Sequence, residues 1–340
     1  MIKKVLEKLV KCENLQPFEV EEIMDEILNN KITSAQTAAF LTALRTKGET
    51  IDEITSCIKV LKKYGLKLSP NFNDVIDIVG TGGDGANTFN ISTAAAFVVS
   101  SGGLTVAKHG NRAFSSKSGA ADILEAIGAN INLNVEQNET ILKKTGFCFM
   151  YASNFSPLMK NVAQVRKELK IRTVFNCLGP LINPSGAKTQ LIGVYSKELV
   201  EPVAHVMKNL GVKRGIALFG EGGLDEASIT SKTFYAKLKN DKVETGTFEP
   251  EDFGLKRADI KDIQGGTPKE NAEIMKGIFK NEIKNSKRDV VVLNSALAFY
   301  IANKVKTIKE GIELSNNLLD SGEVYKKTVQ FIESTNEYIR

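Results

Sequence analysis

The sequence predicts a small, all-helical amino-terminal domain followed by a large α/β domain with a mostly parallel central sheet. Three observations carry this. Apolar residues recur at helical spacing up to about residue 65; from Val75 short apolar runs alternate with helical segments; and two strand-to-helix turns are rich in glycine and hydroxyl residues. A chain of 340 residues suits one large and one small domain. Its 42% hydrophobic and 25% charged residues are the balance of a globular protein with ample core.

In the first segment the helical pattern is visible in Val20, Ile23 and Ile27, then in Phe40, Leu41 and Leu44. Thr33 with Gln36, and Thr50 with Glu53, have the spacing of capping boxes. Pro17 suits a first helical turn and Gly48 a helix stop. LKLSPNFND, residues 66–74, reads as a linker, placing the division at 1–70 and 71–340, with helices from about 155–180 completing the helical domain. Beyond it VIDIVG, LTVAKHG, FCFMYA, TQLIGVYS, RGIALFG and DVVVLNSALAFYIANK each read as a buried strand. In such sheets, ligands bind where loops leave the carboxyl ends of strands.

Charge and cysteine usage narrow the function. Lys and Arg outnumber Asp and Glu by 45 to 40, and the basic runs are no longer than pairs such as Lys62-Lys63. That argues against a nucleic-acid partner and suits small anionic ligands. Cys12, Cys57, Cys148 and Cys177 form no CxxC or Cys/His cluster, so free thiols in a reducing cytoplasm are expected. MIKKVLEKLV lacks the apolar core of a signal peptide, and no apolar stretch approaches the roughly 20 residues that span a bilayer.

VGTGGDGANTFNIST places Gly80, Gly82, Gly83 and Gly85 directly after an apolar run. Gly80, Gly82 and Gly85 match GxGxxG, but no acidic residue follows before Asp122 to hold ribose hydroxyls, and Ala86 stands where a phosphate-binding P-loop needs lysine. What remains is exposed backbone N–H with Asn87, Thr88, Asn90, Ser92 and Thr93 near a helix start, an anion site in outline. A plain strand-to-helix turn would explain that loop taken alone. The second loop, AKHGNRAFSSKSGAADILEAIG, adds Lys108, His109, Asn111, Arg112, Ser115, Ser116 and Ser118 after another strand. Two cations with several donors there suit a second phosphate cluster.

VGTGGDGANTFNIST, KHGNRAFSSKSGAADILEAIG, VRKELKIRTVFNCLGPLINP and GEGGLDEAS together resemble the anthranilate phosphoribosyltransferases, over most of the chain. The resemblance implies transfer of the phosphoribosyl group of phosphoribosyl pyrophosphate (PRPP) to the amine of anthranilate, in tryptophan biosynthesis. It implies a helical domain beside an α/β domain in a cytoplasmic homodimer. For the PRPP site it implies Gly80, Gly83, Asp84, Thr88, Asn90, Ile91, Ser92, Thr93, Lys108, His109, Gly110, Asn111, Arg112, Ala113, Phe114, Ser115, Ser116 and Ala120. Gly80, Asn111 and Arg166 would meet anthranilate, and Ser92, Asp225 and Glu226 would hold two Mg2+ ions. Carboxylates that bridge Mg2+ to substrate phosphates fit the GEGGLDEAS pair, and a planar guanidinium fits a benzoate carboxylate. Asp84 would accept from a ribose hydroxyl or a metal-bound water. Gly179, Pro180 and Pro184 suggest a bent connection between the domains.

The sequence departs from the family pattern at Ser156, Gln164 and Ala120, where many relatives carry His, Pro and Ser. A pyrimidine-nucleoside phosphorylase would share the fold, but its chemistry needs neither the Asp225-Glu226 pair nor Arg166. A non-catalytic nucleic-acid binder would show eroded motifs and a basic stripe.

Overall fold

The computed structural model describes residues 1–69, 74–83, 85–113 and 117–339. Four helices come first: α1 (Ile2–Val10), α2 (Pro17–Leu28), α3 (Ser34–Lys47) and α4 (Ile51–Tyr64). Thr33 and Thr50 accept from the N–H groups of Gln36 and Glu53, whose side chains accept in return from the capping residues' own N–H groups. Pro17 opens α2, and Gly48 closes α3 at φ +88°. The Glu53 carboxylate does more than cap. It also accepts from Leu15 N–H (2.9 Å) and from buried Lys47 Nζ (2.8 Å), joining three helix ends through one side chain.

The central sheet among the described residues comprises β1 (Val75–Gly80), β2 (Thr105–Gly110), β3 (Phe147–Tyr151), β4 (Thr189–Gly193), β5 (Arg214–Gly220), β6 (Thr233–Lys239) and β7 (Lys242–Phe248). Their order is β3-β2-β1-β4-β5-β6-β7, with β1 to β5 parallel and β6 and β7 antiparallel. Helix α5 (Ile91–Ser101) crosses from β1 to β2, and α6 (Ala120–Ala126) and α7 (Val135–Thr145) lead to β3. Between β3 and β4 lie α8 (Ala152–Phe155), α9 (Lys160–Leu169) and α10 (Phe175–Leu178); α11 (Val200–Asn209) precedes β5. The chain finishes with α12 (Pro268–Phe279), α13 (Ser286–Ile301), α14 (Ile308–Asp320) and α15 (Glu323–Asn336).

Strand periodicity divides the core in two. Leu191, Ile216 and Leu218 face a cluster with α5, α12 and α13, in which Phe97 stacks on Phe147 at 4.4 Å between ring centroids. Their neighbours Ile192 and Ala217 face the other side, where α11 packs with α1 to α4. Val162 and Val165 of α9, and Phe175 and Leu178 of α10, belong to that second cluster.

Two readings of the sequence need correction. DVVVLNSALAFYIANK forms helix α13, not a strand, because the helix is buried on nearly every side and so lacks a polar face. The β6–β7 hairpin went unread, although Asn240 and Asp241 both take positive φ (52° and 58°), the demand of its two-residue turn. Residues 70–73 of the expected linker lie outside the described residues. No helix among the described residues is long and apolar enough to cross a membrane.

Replacing Glu53 by Ala strands the Lys47 ammonium and two backbone donors, and is expected to cost about 3–5 kcal/mol in urea unfolding. A loss below about 1 kcal/mol would contradict this account of how the amino-terminal helices are joined.

Candidate active site

Strands β1, β4 and β5 end in Gly80, Gly193 and Gly220, with Gly80 and Gly193 side by side in register. The missing side chains have a use. A Cβ on Gly193 would fall 1.4 Å from the Asp225 carbonyl oxygen, and one on Gly80 would fall 2.2 Å from Asp225 Oδ2. One on Gly220 would lie 2.9 Å from both Leu224 Cβ and Ser228 Cβ. The turn carrying Asp225 and Glu226 therefore lies directly on the carboxyl ends of the strands. Asn294 of α13 fixes its far side, accepting from Ala227 N–H and donating to the Ala227 carbonyl, each at 3.0 Å. Asp225 and Glu226 are buried, not the surface charges that an isolated Asp-Glu pair would be. Asp225 Oδ2 accepts from Gly82 N–H at 2.6 Å, which draws the glycine loop onto the same turn.

Beneath them Lys108 enters from β2. Its ammonium, buried to 1% exposure, donates to the Ile78 carbonyl (2.5 Å) and the Ser92 hydroxyl (3.4 Å). Burial pushes its pKa down to about 8, against the attraction of Asp77, Glu226 and Asp225. Asp77, wholly buried on β1, is pushed up to about 6 by burial. Lys108 opposes that rise, as do Asn183 Nδ2, which donates to Asp77 Oδ2 at 2.6 Å, and His109 N–H. Each group thus favours the charged form of the other, and the Lys108 amine lies beneath the glycine loop.

Asn90 joins the two loops. Its side chain donates to the Ser118 carbonyl and accepts from Ser118 Oγ and Asn271 Nδ2. Asp122 closes the second loop by accepting from Ala113 and Gly119 N–H, both at 2.9 Å. Arg112 pairs with Glu125 and Asp122, so the structure turns its guanidinium toward α6. Ile91 and Thr93 are buried at the start of α5, and Thr93 Oγ1 has no hydrogen-bond partner among the described residues. Thr88 bridges to Gln264, and the Asn111 carbonyl accepts from Ala121 N–H. Gly110 lies against Ala120 and Phe149, with no room for a side chain. Asp84, Phe114, Ser115 and Ser116 lie outside the described residues.

On the other side stands Arg166 of α9, its guanidinium 5.4 Å from the centroid of the Phe175 ring. Burial holds its pKa below the usual arginine range. His109 is buried, and its Nδ1–H donates to the Gly179 carbonyl at 3.2 Å. Burial drives the imidazole down to about 4, leaving it neutral. Gln164 donates to Glu168 along the exposed side of α9, Ser156 caps α8, and Ala120 opens α6.

The structure thus brings Gly80, Ser92, Lys108, Asp225 and Glu226 together around the glycine loop, and sets Arg166 on a separate element. Sequence reasoning missed Asp77, Asn183, Asn271 and Arg172. Only Asp77 left a signal, as a carboxylate inside the otherwise apolar VIDIVG. The Ser92, Asp225 and Glu226 donors are all oxygen, which fits a hard divalent cation. Among the described residues no group of three or more His, Cys, Asp or Glu could hold a metal unaided. Substrate oxygens would have to complete the coordination.

Residues 3–65 match the helical bundle domain of a glycosyl transferase family, and residues 72–325 match its a/b domain. Fold and site accordingly define a glycosyl transferase of the helical-bundle and α/β kind. The chain is 49% identical to an anthranilate phosphoribosyltransferase of Acetivibrio thermocellus, over all of this chain and 98% of that one. It is similar to the crystal structure of the Thermus thermophilus enzyme of that name (TM-score 0.92, 37% identity, 98% and 99% of the two chains). The Saccharomyces cerevisiae enzyme in complex with PRPP and Mg is also similar (TM-score 0.91, 30% identity, 99% and 98% covered). The chain belongs to the anthranilate phosphoribosyltransferase family.

Two expectations follow from this geometry. Gly193→Ala must displace the Asp225 backbone and should lower activity at least about 100-fold, since misplaced catalytic groups cost that much. Gly254→Ala, far from the site, where a Cβ meets nothing within 4 Å but φ is +80°, should leave the rate within twofold while costing about 1 kcal/mol of stability. Equal rates in the two variants would contradict the glycine seat.

The second concerns acid. His109 has a folded pKa of about 4 against about 6.5 unfolded, so the unfolded chain binds the proton first as pH falls. Stability present above about pH 6.5 is then lost toward pH 4, roughly 2 kcal/mol of it between pH 7 and pH 5. Urea titrations at those two pH values should show a smaller loss in His109→Asn than in wild type.

Proposed function

We propose that the chain transfers the phosphoribosyl group of PRPP to the amine of anthranilate, yielding N-(5-phosphoribosyl)anthranilate and pyrophosphate in tryptophan biosynthesis. The observation that carries this reading is the carboxylate turn seated on three glycine-ended strands, directly over a buried lysine and against a glycine loop. Phosphates need closely approaching backbone N–H groups and a cation; the glycine loop and Lys108 supply them. Ser92, Asp225 and Glu226 would hold Mg2+, two ions in this reading. When bound, Mg2+ supplies Lewis-acid stabilisation of the departing pyrophosphate.

The chain's own residues do the rest. Lys108 would place a positive charge under the phosphates, whose own charge favours the ammonium form where burial leaves little water to screen it. The glycine loop and the loop from Lys108 to Ser116, joined through Asn90 and Ser118, orient the ribose. Asp84 accepts from a ribose hydroxyl or a metal-bound water in this assignment. Arg166 pairs with the anthranilate carboxylate, with Gly80 and Asn111 beside the ring. As the C1–O bond to pyrophosphate breaks, positive charge develops at the ribose C1; the amine attacks from the opposite face, and its surplus proton passes to water. The amine is already neutral, so alignment of the two partners dominates and no general base is assigned.

The division at residue 70, with α9 and α10 completing the helical domain, belongs to the same reading; the core they share with α1 to α4 supports it. So does a cytoplasmic homodimer, for which the free state of all four cysteines suits a reducing compartment.

Loss of anthranilate fluorescence in the presence of PRPP and Mg2+ tests the reaction. Turnover should stop with EDTA. Arg166→Ala should raise the KM for anthranilate roughly 10- to 100-fold, the loss of a charge-assisted pair. Binding of PRPP without consumption of anthranilate would overturn the acceptor assignment and leave the donor site standing.

A further inference from the structure

Helix α9 ends at Leu169, and Lys170 takes a left-handed conformation (φ 51°) that turns the chain back toward the sheet. Two residues on, exposed Arg172 makes two contacts with other elements. Its guanidinium lies over the Tyr195 ring, 4.3 Å from the centroid, and its Nη2 donates to the Gly83 carbonyl. Tyr195 is buried just beyond the end of β4, so the stack rests on a rigid support. Gly83 does not. With Gly82 and Gly85 it takes positive φ (70–80°), a stretch that is entropically costly to hold. The loop has tethers on the sheet side, where Thr81 N–H donates to the Gly193 carbonyl at 3.0 Å and Gly82 N–H to Asp225. Arg172 supplies a tether from the opposite side. It comes from the segment that continues the helix bearing Arg166.

We propose that Arg172 is a positioning residue coupling the two substrate sites, so that filling one tightens binding at the other. The proposal rests on the transferase reading above. An acceptor that fixes Arg166 orders the end of α9 and the 170–173 segment; Arg172 passes that order to Gly83, and the glycine loop then loses less entropy on closing over phosphate. By linkage the donor does the same for the acceptor. A planar guanidinium is required, because it must stack on Tyr195 and donate to a carbonyl at once; the compact ammonium of lysine can make either contact but not both.

Anthranilate with Mg2+-pyrophosphate is a pair that cannot react, so fluorescence titration of anthranilate, with and without Mg2+-pyrophosphate, measures the coupling directly. In wild type the dissociation constant for anthranilate should fall at least about fivefold when Mg2+-pyrophosphate is present, the lower end for allosteric coupling. Arg172→Ala should abolish that change, Arg172→Lys should restore only part of it, and hydrogen exchange at residues 80–85 should quicken in the Ala variant. Its thermal midpoint should stay put, since the side chain is exposed. Full coupling in Arg172→Ala overturns the proposal, as does a lowered midpoint with coupling intact, which marks a structural role. Independent binding in wild type overturns the coupling but leaves the transferase reading standing; binding of neither ligand overturns both.

Discussion

Asp225 and Glu226 can lie over the sheet only because three neighbouring strands end without a Cβ. The closest approach, 1.4 Å from a hypothetical Gly193 Cβ to the Asp225 carbonyl oxygen, leaves no rearrangement of side chains that would relieve it. The rest of the site is arranged around that seat. The turn must be held from above, which Asn294 of α13 does, and α13 is in turn buried along most of its length, packed on α5, α14 and the sheet. The glycine loop must descend to meet Asp225, which its positive φ values permit. A buried cation must balance the carboxylates, and Lys108 does so from the next strand.

Charge in this site is held by position more than by exposure. Lys108 and Asp77 are both buried, and each opposes the desolvation that would neutralise the other. Asn183 and the His109 backbone complete the hydrogen bonding of Asp77, so the pair is satisfied and not strained. The neutral His109 side chain, bonded to Gly179, links this network to the segment that follows α10. Among the described residues the segment after α9 therefore touches the two loops through His109 with Gly179 and Arg172 with Gly83.

Much of this was legible in the residues. The capping boxes at Thr33 and Thr50 marked two helix starts because cap chemistry is local, involving residues three positions apart. The parallel strands were legible because each is a short apolar run ending at a turn. Helix α13 was not, because burial on nearly every side erases the amphipathic signal that separates helix from strand; its 16-residue length was the remaining clue. The β6–β7 hairpin was obscured by its half-exposed, charged strands, although Asn240-Asp241 carried the turn signal.

The sequence by itself determined the two-part architecture, the glycine loop and the motif that places the chain in its family, because these are written in runs of adjacent residues. Only the tertiary structure decided what those runs do to one another. Gly193 and Asp225 are 32 positions apart in sequence, yet one exists for the backbone of the other. Arg112 reads as a phosphate ligand, and in the fold its guanidinium pairs with Asp122 and Glu125. Arg172 reads as an ordinary residue after a helix and reaches the glycine loop 89 positions away. Contacts of this kind depend on which strand ends lie side by side, and the order β2-β1-β4-β5 is a property of the folded sheet alone.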